Sequence, residues 1–163
     1  MGDYGNYDLD KIYTDQEFPL GAKVEDQAKR VFKFIKYNDG DGDVDGVAGY
    51  LSIGLDSAYP SHEATCDYNS ATVAGIPNLI EGFLQAALTL ATFGWAQVWG
   101  PNRKSILTDG DVAQGELLMK HASTDGGVDS HDNTAQKVVA VALEDDTSTA
   151  LTAGQAFITI ETK

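Results

Sequence analysis

Short runs of β-branched and aromatic residues recur along this chain, and glycine, proline, asparagine or aspartate closes nearly every one. That alternation leaves little room for long helices. It favours many short strands joined by turns. The clearest strand is Arg30-Val-Phe-Lys-Phe-Ile-Lys-Tyr. Its Phe32 and Phe34 share one face, while Val31, Lys33, Ile35 and Tyr37 share the other. Lys137-Val-Val-Ala-Val-Ala-Leu-Glu is a β-branched run with polar ends, the pattern of a buried strand. Ala156-Phe-Ile-Thr-Ile-Glu-Thr closes the chain, with Ile158 and Ile160 on the face expected to be buried.

Between these lie weaker candidates. Val47–Ile53 reads as a strand, which makes residues 38–46 a hairpin loop. Residues 56–70 read as irregular, and Ala71-Thr-Val-Ala-Gly-Ile as a short strand stopped by Pro77. Leu79–Leu90 fits either a short helix or a pair of strands, because Gly82 and Thr89 weaken a helix. Phe93–Gly100, Ser105–Thr108 and Glu116–His121 read as strands, and residues 124–133 as a polar loop. The count is roughly eight short strands, which predicts a mainly all-β fold, a small antiparallel barrel or sandwich with at most one short helix. Residues 1–17 are expected to form an extended N-terminal arm, and residues 18–163 one β-rich domain.

With 163 residues the chain can bury a core without disulfides or a structural metal. Its single cysteine, Cys66, allows no internal disulfide. The net charge of −14 argues against nucleic acid and against anionic membrane surfaces as partners. The most apolar stretch, Ile76–Trp99, is broken by Glu81, Gln85, Gly94 and Gln97 and does not read as a membrane span. The first residues lack the basic and apolar regions of a signal peptide, so synthesis in the cytoplasm is expected.

Catalytic signatures are sparse. No Gly-x-Ser-x-Gly elbow and no phosphate-cradling glycine loop occurs, and nothing around Cys66 suggests an activated thiol. The expectation is that the chain is not an enzyme. Asp41, Asp43, Asp45 and Gly46 match the first half of a calcium-binding EF loop, but Ser52 stands where the closing glutamate belongs. A calcium site using Asp41, Asp43 and Asp45 stays open beside the plainer reading of an Asp-Gly turn. Trp95 and Trp99 are four apart, which suits a core or interface face, or a platform for stacking on sugar. The arm's Tyr4, Tyr7 and Tyr13, followed by Phe18, are too aromatic for a solvated tail, so they are candidate contacts with a partner or a neighbouring subunit. On that reading, deleting residues 2–14 would leave a folded protein that binds its partner less tightly.

Several segments in order resemble the decoration (cement) proteins that bind the outside of tailed-bacteriophage heads. They are Phe18-Pro-Leu-Gly, Val31-Phe-Lys-Phe-Ile-Lys-Tyr-Asn-Asp-Gly, Val47-Ala-Gly, Gly94-Trp-Ala-Gln-Val-Trp-Gly-Pro, Thr108-Asp-Gly-Asp and Val139-Ala-Val-Ala-Leu-Glu-Asp. The likeness spans residues 18–162. It implies a compact β-fold, a homotrimer seated on the outer capsid surface of the virion, the major capsid protein as partner, and no catalysis; no cofactor is expected, with calcium left open. Two departures stand out. The loop at 39–45 is acidic where the family has small neutral residues, and residues 1–17 fall outside the likeness. The rival readings are a carbohydrate-binding module and a calcium-dependent adhesion module.

Overall fold

The computed structural model describes residues 7–40, 42–55, 62–68, 79–108, 111–131, 137–147, 150–152 and 154–160. Among them there are strands and no helix, so the chain is all-β. The strands are β1 (Lys23–Glu25), β2 (Val31–Tyr37), β3 (Leu51–Gly54), β4 (Glu63–Thr65), β5 (Ile80–Leu84) and β6 (Phe93–Pro101). They continue with β7 (Ile106–Leu107), β8 (Leu117–Lys120), β9 (Val128–Ser130), β10 (Val138–Ala142), β11 (Ala150–Leu151) and β12 (Ala156–Ile158).

A closed barrel forms from β2, β4, β3, β5 and β6, because β6 pairs back with β2. All its pairings are antiparallel except β2–β4, which is parallel. Closure leaves these strands without free edges, the exposed rows of unpaired amides and carbonyls that promote aggregation. The far end of β6 pairs with β12, and the sheet continues through β10 and β8 to β9. β7 and β11 form a separate small ladder.

The period-two pattern of β2 decides how the core divides. Ile35 and Tyr37 point into the barrel with Ala64, Cys66, Leu84, Leu88 and Ala96. Phe32 and Phe34 point outward, yet they are fully buried against Trp95 and the N-terminal segment. Small side chains at Ala64 and Ala96 leave the space that Ile35 and Tyr37 fill. The interior is therefore a packed core, as expected of so narrow a barrel. A third cluster lies under the β12–β10–β8 extension, where Ile158, Ile160, Val139 and Leu118 are buried. The expected inward face of Ile158 and Ile160 is the one observed.

Several local expectations are corrected. Residues 38–46 are not a hairpin loop, because β2 and β3 do not pair. The loop instead folds onto the chain near residue 88: the Gly46 amide donates to the Leu88 carbonyl at 2.7 Å, and the Tyr37 hydroxyl donates to the Val44 carbonyl at 2.6 Å. The segment read as irregular contains β4, and the polar loop after residue 124 contains β9. Of the two alternatives for Leu79–Leu90, a strand forms over Ile80–Leu84. Gly82 permits it: at φ 138° its missing Cβ would lie 2.8 Å from the Gln97 carbonyl oxygen on β6. The strand read at Ala71–Ile76 lies outside the described residues.

Candidate functional site

From residue 7 the N-terminal segment lies along its own barrel, with a turn at Leu9–Asp10 and a single bridge at Tyr13. Tyr13 makes an antiparallel bridge with Phe93, with each amide donating to the other's carbonyl at 2.9 and 2.8 Å. The Tyr13 ring, 2% exposed, packs edge-on against Phe18 at 5.6 Å and Phe34 at 5.5 Å. Phe18 reaches Trp95 at 5.2 Å, and Tyr7 covers Trp95 from outside at 5.8 Å. The Tyr7 hydroxyl also donates to the Glu25 carbonyl on the edge strand β1. Tyr7, Tyr13 and Phe18, expected to meet a partner, are thus brought together against the chain's own Phe34 and Trp95. Tyr4 lies outside the described residues.

A charged clamp reinforces this arm. Arg103 grips Asp10 with both terminal guanidinium nitrogens, Nη1 to Oδ1 at 2.8 Å, and Lys104 joins them. The hydrogen bond from Arg103, supported by Lys104 against partial desolvation, holds the Asp10 carboxyl well below the usual carboxylate range. A lowered carboxylate pKa contributes stability above its unfolded value, about 4, and loses it only as pH falls through the folded value. Asp10 is 48% exposed, so Asp10→Asn should cost less than about 1 kcal/mol. That small difference should be the same at neutral and mildly acidic pH, read from urea midpoints of both proteins. A difference that vanishes before the pH reaches about 4 would contradict the clamp.

Sequence reasoning missed a second constellation. Lys33 on β2 and Glu81 on β5 meet at 2.8 Å, with side chains 6% and 2% exposed. These strands are not neighbours in the barrel, since β6 lies between them, and Ala96 of β6 is paired directly with Lys33. His62 Nδ1 approaches the same Glu81 oxygen at 3.3 Å. Gly21 makes room for that ring: a Cβ there would fall 2.3 Å from His62 Nε2. The signal available in the sequence was one charge in the middle of each apolar strand, Lys33 among Phe32, Phe34 and Ile35, and Glu81 beside Ile80.

The acidic loop is placed at the surface. Asp43 and Asp45 are exposed, Asp43 adopts a left-handed φ of 53°, and Asp41 lies outside the described residues. The buried Asp67 accepts the Gly42 amide at 2.9 Å, and a Cβ at Gly40 would crowd that carboxylate. Among the described residues, no group of three or more His, Cys, Asp or Glu side chains is placed to hold an ion.

Of the other singled-out groups, Cys66 is buried in the barrel, and burial pushes its thiol up to about 12. Such a thiol is a poor nucleophile at neutral pH. Trp95 and Trp99 do not form one platform. Trp95 is wholly buried under the arm, and among the described residues its indole N–H has no hydrogen-bond partner. Trp99 packs instead on Phe157. No family model, no curated protein and no solved structure matches this chain.

Proposed function

We propose that this chain is a structural protein of a tailed-phage virion. It binds the major capsid protein on the outer surface of the head, stabilises the expanded shell as a homotrimer, and catalyses nothing. The observation that carries this reading is the use to which polar groups are put. The barrel interior is filled by Ile35, Tyr37, Cys66 and Leu84, and Lys33 and Glu81 spend their charges on each other. The ordered likeness of its segments to capsid decoration proteins supplies the place where a cohesive β-protein would act.

Physics suits that place. A ligand that binds only the expanded lattice stabilises it by mass action, and a trimer adds avidity because several weak contacts act together. A net charge of −14 keeps crowded subunits from aggregating and disfavours nucleic acid and membrane as partners. The chain is made in the bacterial cytoplasm and needs no cofactor. Expanded heads assembled from the cognate major capsid protein should withstand heating to a higher temperature when the protein is added. The disruption temperature should climb with protein concentration, and an unchanged disruption temperature at saturating protein contradicts the proposal.

A further inference from the structure

β8 and β9 are joined by a turn that fastens the sheet extension to the barrel. The His121 amide closes the turn by donating to the Gly127 carbonyl at 3.0 Å. The Gly126 carbonyl accepts the Leu51 amide of β3 at 2.8 Å, and the Gly126 amide donates to the Cys66 carbonyl at 3.2 Å. Asp125 Oδ1 accepts the Tyr68 amide at 2.8 Å, and the Tyr68 hydroxyl reaches the Gly127 carbonyl at 3.0 Å. Gly126 stands at φ 70°, and a Cβ there would fall 2.2 Å from the Tyr50 ring, so the turn seats closely. One side chain orders the backbone inside it. His121 Nδ1 receives the Ser123 amide at 3.1 Å and the Thr124 amide at 2.7 Å.

An amide N–H needs a lone pair opposite it. Nδ1 has one only in the neutral ring with its proton on Nε2, whereas the imidazolium is a donor at both nitrogens. The geometry therefore fixes the tautomer and makes the turn depend on an uncharged ring. Charging the ring removes an acceptor from two amides and sets a third N–H against them. Among the described residues, Asp129 of β9 faces the ring, with Oδ2 3.9 Å from Nε2. That attraction favours the charged ring, but it acts beyond hydrogen-bond distance, from a carboxylate 36% exposed, and is screened. The neighbouring charges are engaged elsewhere. Lys120 sends its ammonium to the His121 carbonyl and over the Tyr68 ring, and Asp125 is turned to the Tyr68 amide. We propose that His121 is an acid-sensitive latch, whose neutral ring keeps the turn on the barrel and whose protonation lets the turn lift from Leu51 and Cys66. The stability these bonds contribute is present at neutral pH and is lost as acid charges the ring. The latch needs neither capsid nor oligomer, so it stands apart from the proposed function.

The tautomer and the release are both measurable on the full chain. At about pH 7.5, ring-nitrogen NMR shifts should report His121 as the Nε2–H tautomer. An Nδ1–H tautomer or an imidazolium there overturns the latch. Cys66 is the single thiol, buried and bonded through its carbonyl to the turn, so its labelling by a dipyridyl disulfide reads opening. Moving from about pH 7.5 to about pH 5 crosses the ordinary imidazole value and changes the reagent's intrinsic rate equally in every variant. His121→Asn offers an amide oxygen close to the place of Nδ1 and cannot be charged. The acid acceleration of labelling should be about tenfold greater in wild type than in His121→Asn, as two hydrogen bonds of ordinary net strength imply. His62→Gln removes the ring that contacts Glu81 and should keep the wild-type acceleration. Equal acceleration in wild type and His121→Asn overturns the latch, and so does an acceleration lost in His62→Gln but kept in His121→Asn.

Discussion

Replacing Tyr13 with alanine should destabilise the protein by about 3–5 kcal/mol and shift its tryptophan emission to the red. The ring is 2% exposed and sits between Phe18 and Phe34, and its backbone bridges Phe93. Removing it opens a cavity beside Trp95 and unfastens the segment that keeps water off that indole. Deleting residues 2–14 removes Leu9 and Tyr7 as well and should lower the urea midpoint further. This reverses the expectation from sequence that such a deletion leaves the body intact. The rings that looked available to a partner form part of the cluster over Phe34 and Trp95. A Tyr13→Ala protein that loses less than about 1 kcal/mol, with unshifted emission, would show that the arm does not hold this position in solution.

The second large effect concerns Lys33. Substituting methionine should cost about 3–5 kcal/mol, because Glu81 would be left charged and buried without its ammonium partner. Adding Glu81→Leu should restore much of the loss, since removing both charges spares the cost of keeping either one dry. The double-mutant cycle, measured by chemical denaturation, should give a coupling of at least about 3 kcal/mol. Additive losses would mean that the two charges do not depend on each other. His62 sets a bound on the effect, because it also contacts the Glu81 carboxylate.

These two sites show where the sequence is legible. The alternation in Arg30–Tyr37 and the β-branched run of Lys137–Glu144 specify strands locally, and both form as β2 and β10. Ile158 and Ile160 announce their buried face by the same period. β4 and β9 are not legible, because Glu63-Ala-Thr and Val128-Asp-Ser have the composition of loops. They become strands only because β2, β3 and β8 offer them ladders. The hairpin expected after Tyr37 fails for a related reason. Adjacency in the chain suggests β2–β3 pairing, whereas barrel closure gives the edges of β2 to β6 on one side and to β1 and β4 on the other.

The candidate sites follow the same rule. Four aromatics near the N-terminus signal that the segment is ordered, but composition does not say against what. The answer depends on Phe34 and Trp95 turning outward together, which is a matter of register. Lys33 and Glu81 each signal a buried partner by interrupting an apolar strand. That they choose each other across β6 is a property of topology alone. Phe157, Val141 and Leu117 are likewise neighbours only after β12, β10 and β8 pair, which no single strand announces.

Attachment to an expanded capsid can be read directly by co-sedimentation. The purified protein is mixed with expanded and with unexpanded heads, and both are pelleted. The account predicts saturable recovery with expanded heads, at a fixed number of copies per head, and none with the unexpanded form. Protein that stays in the supernatant with both kinds of head would contradict it.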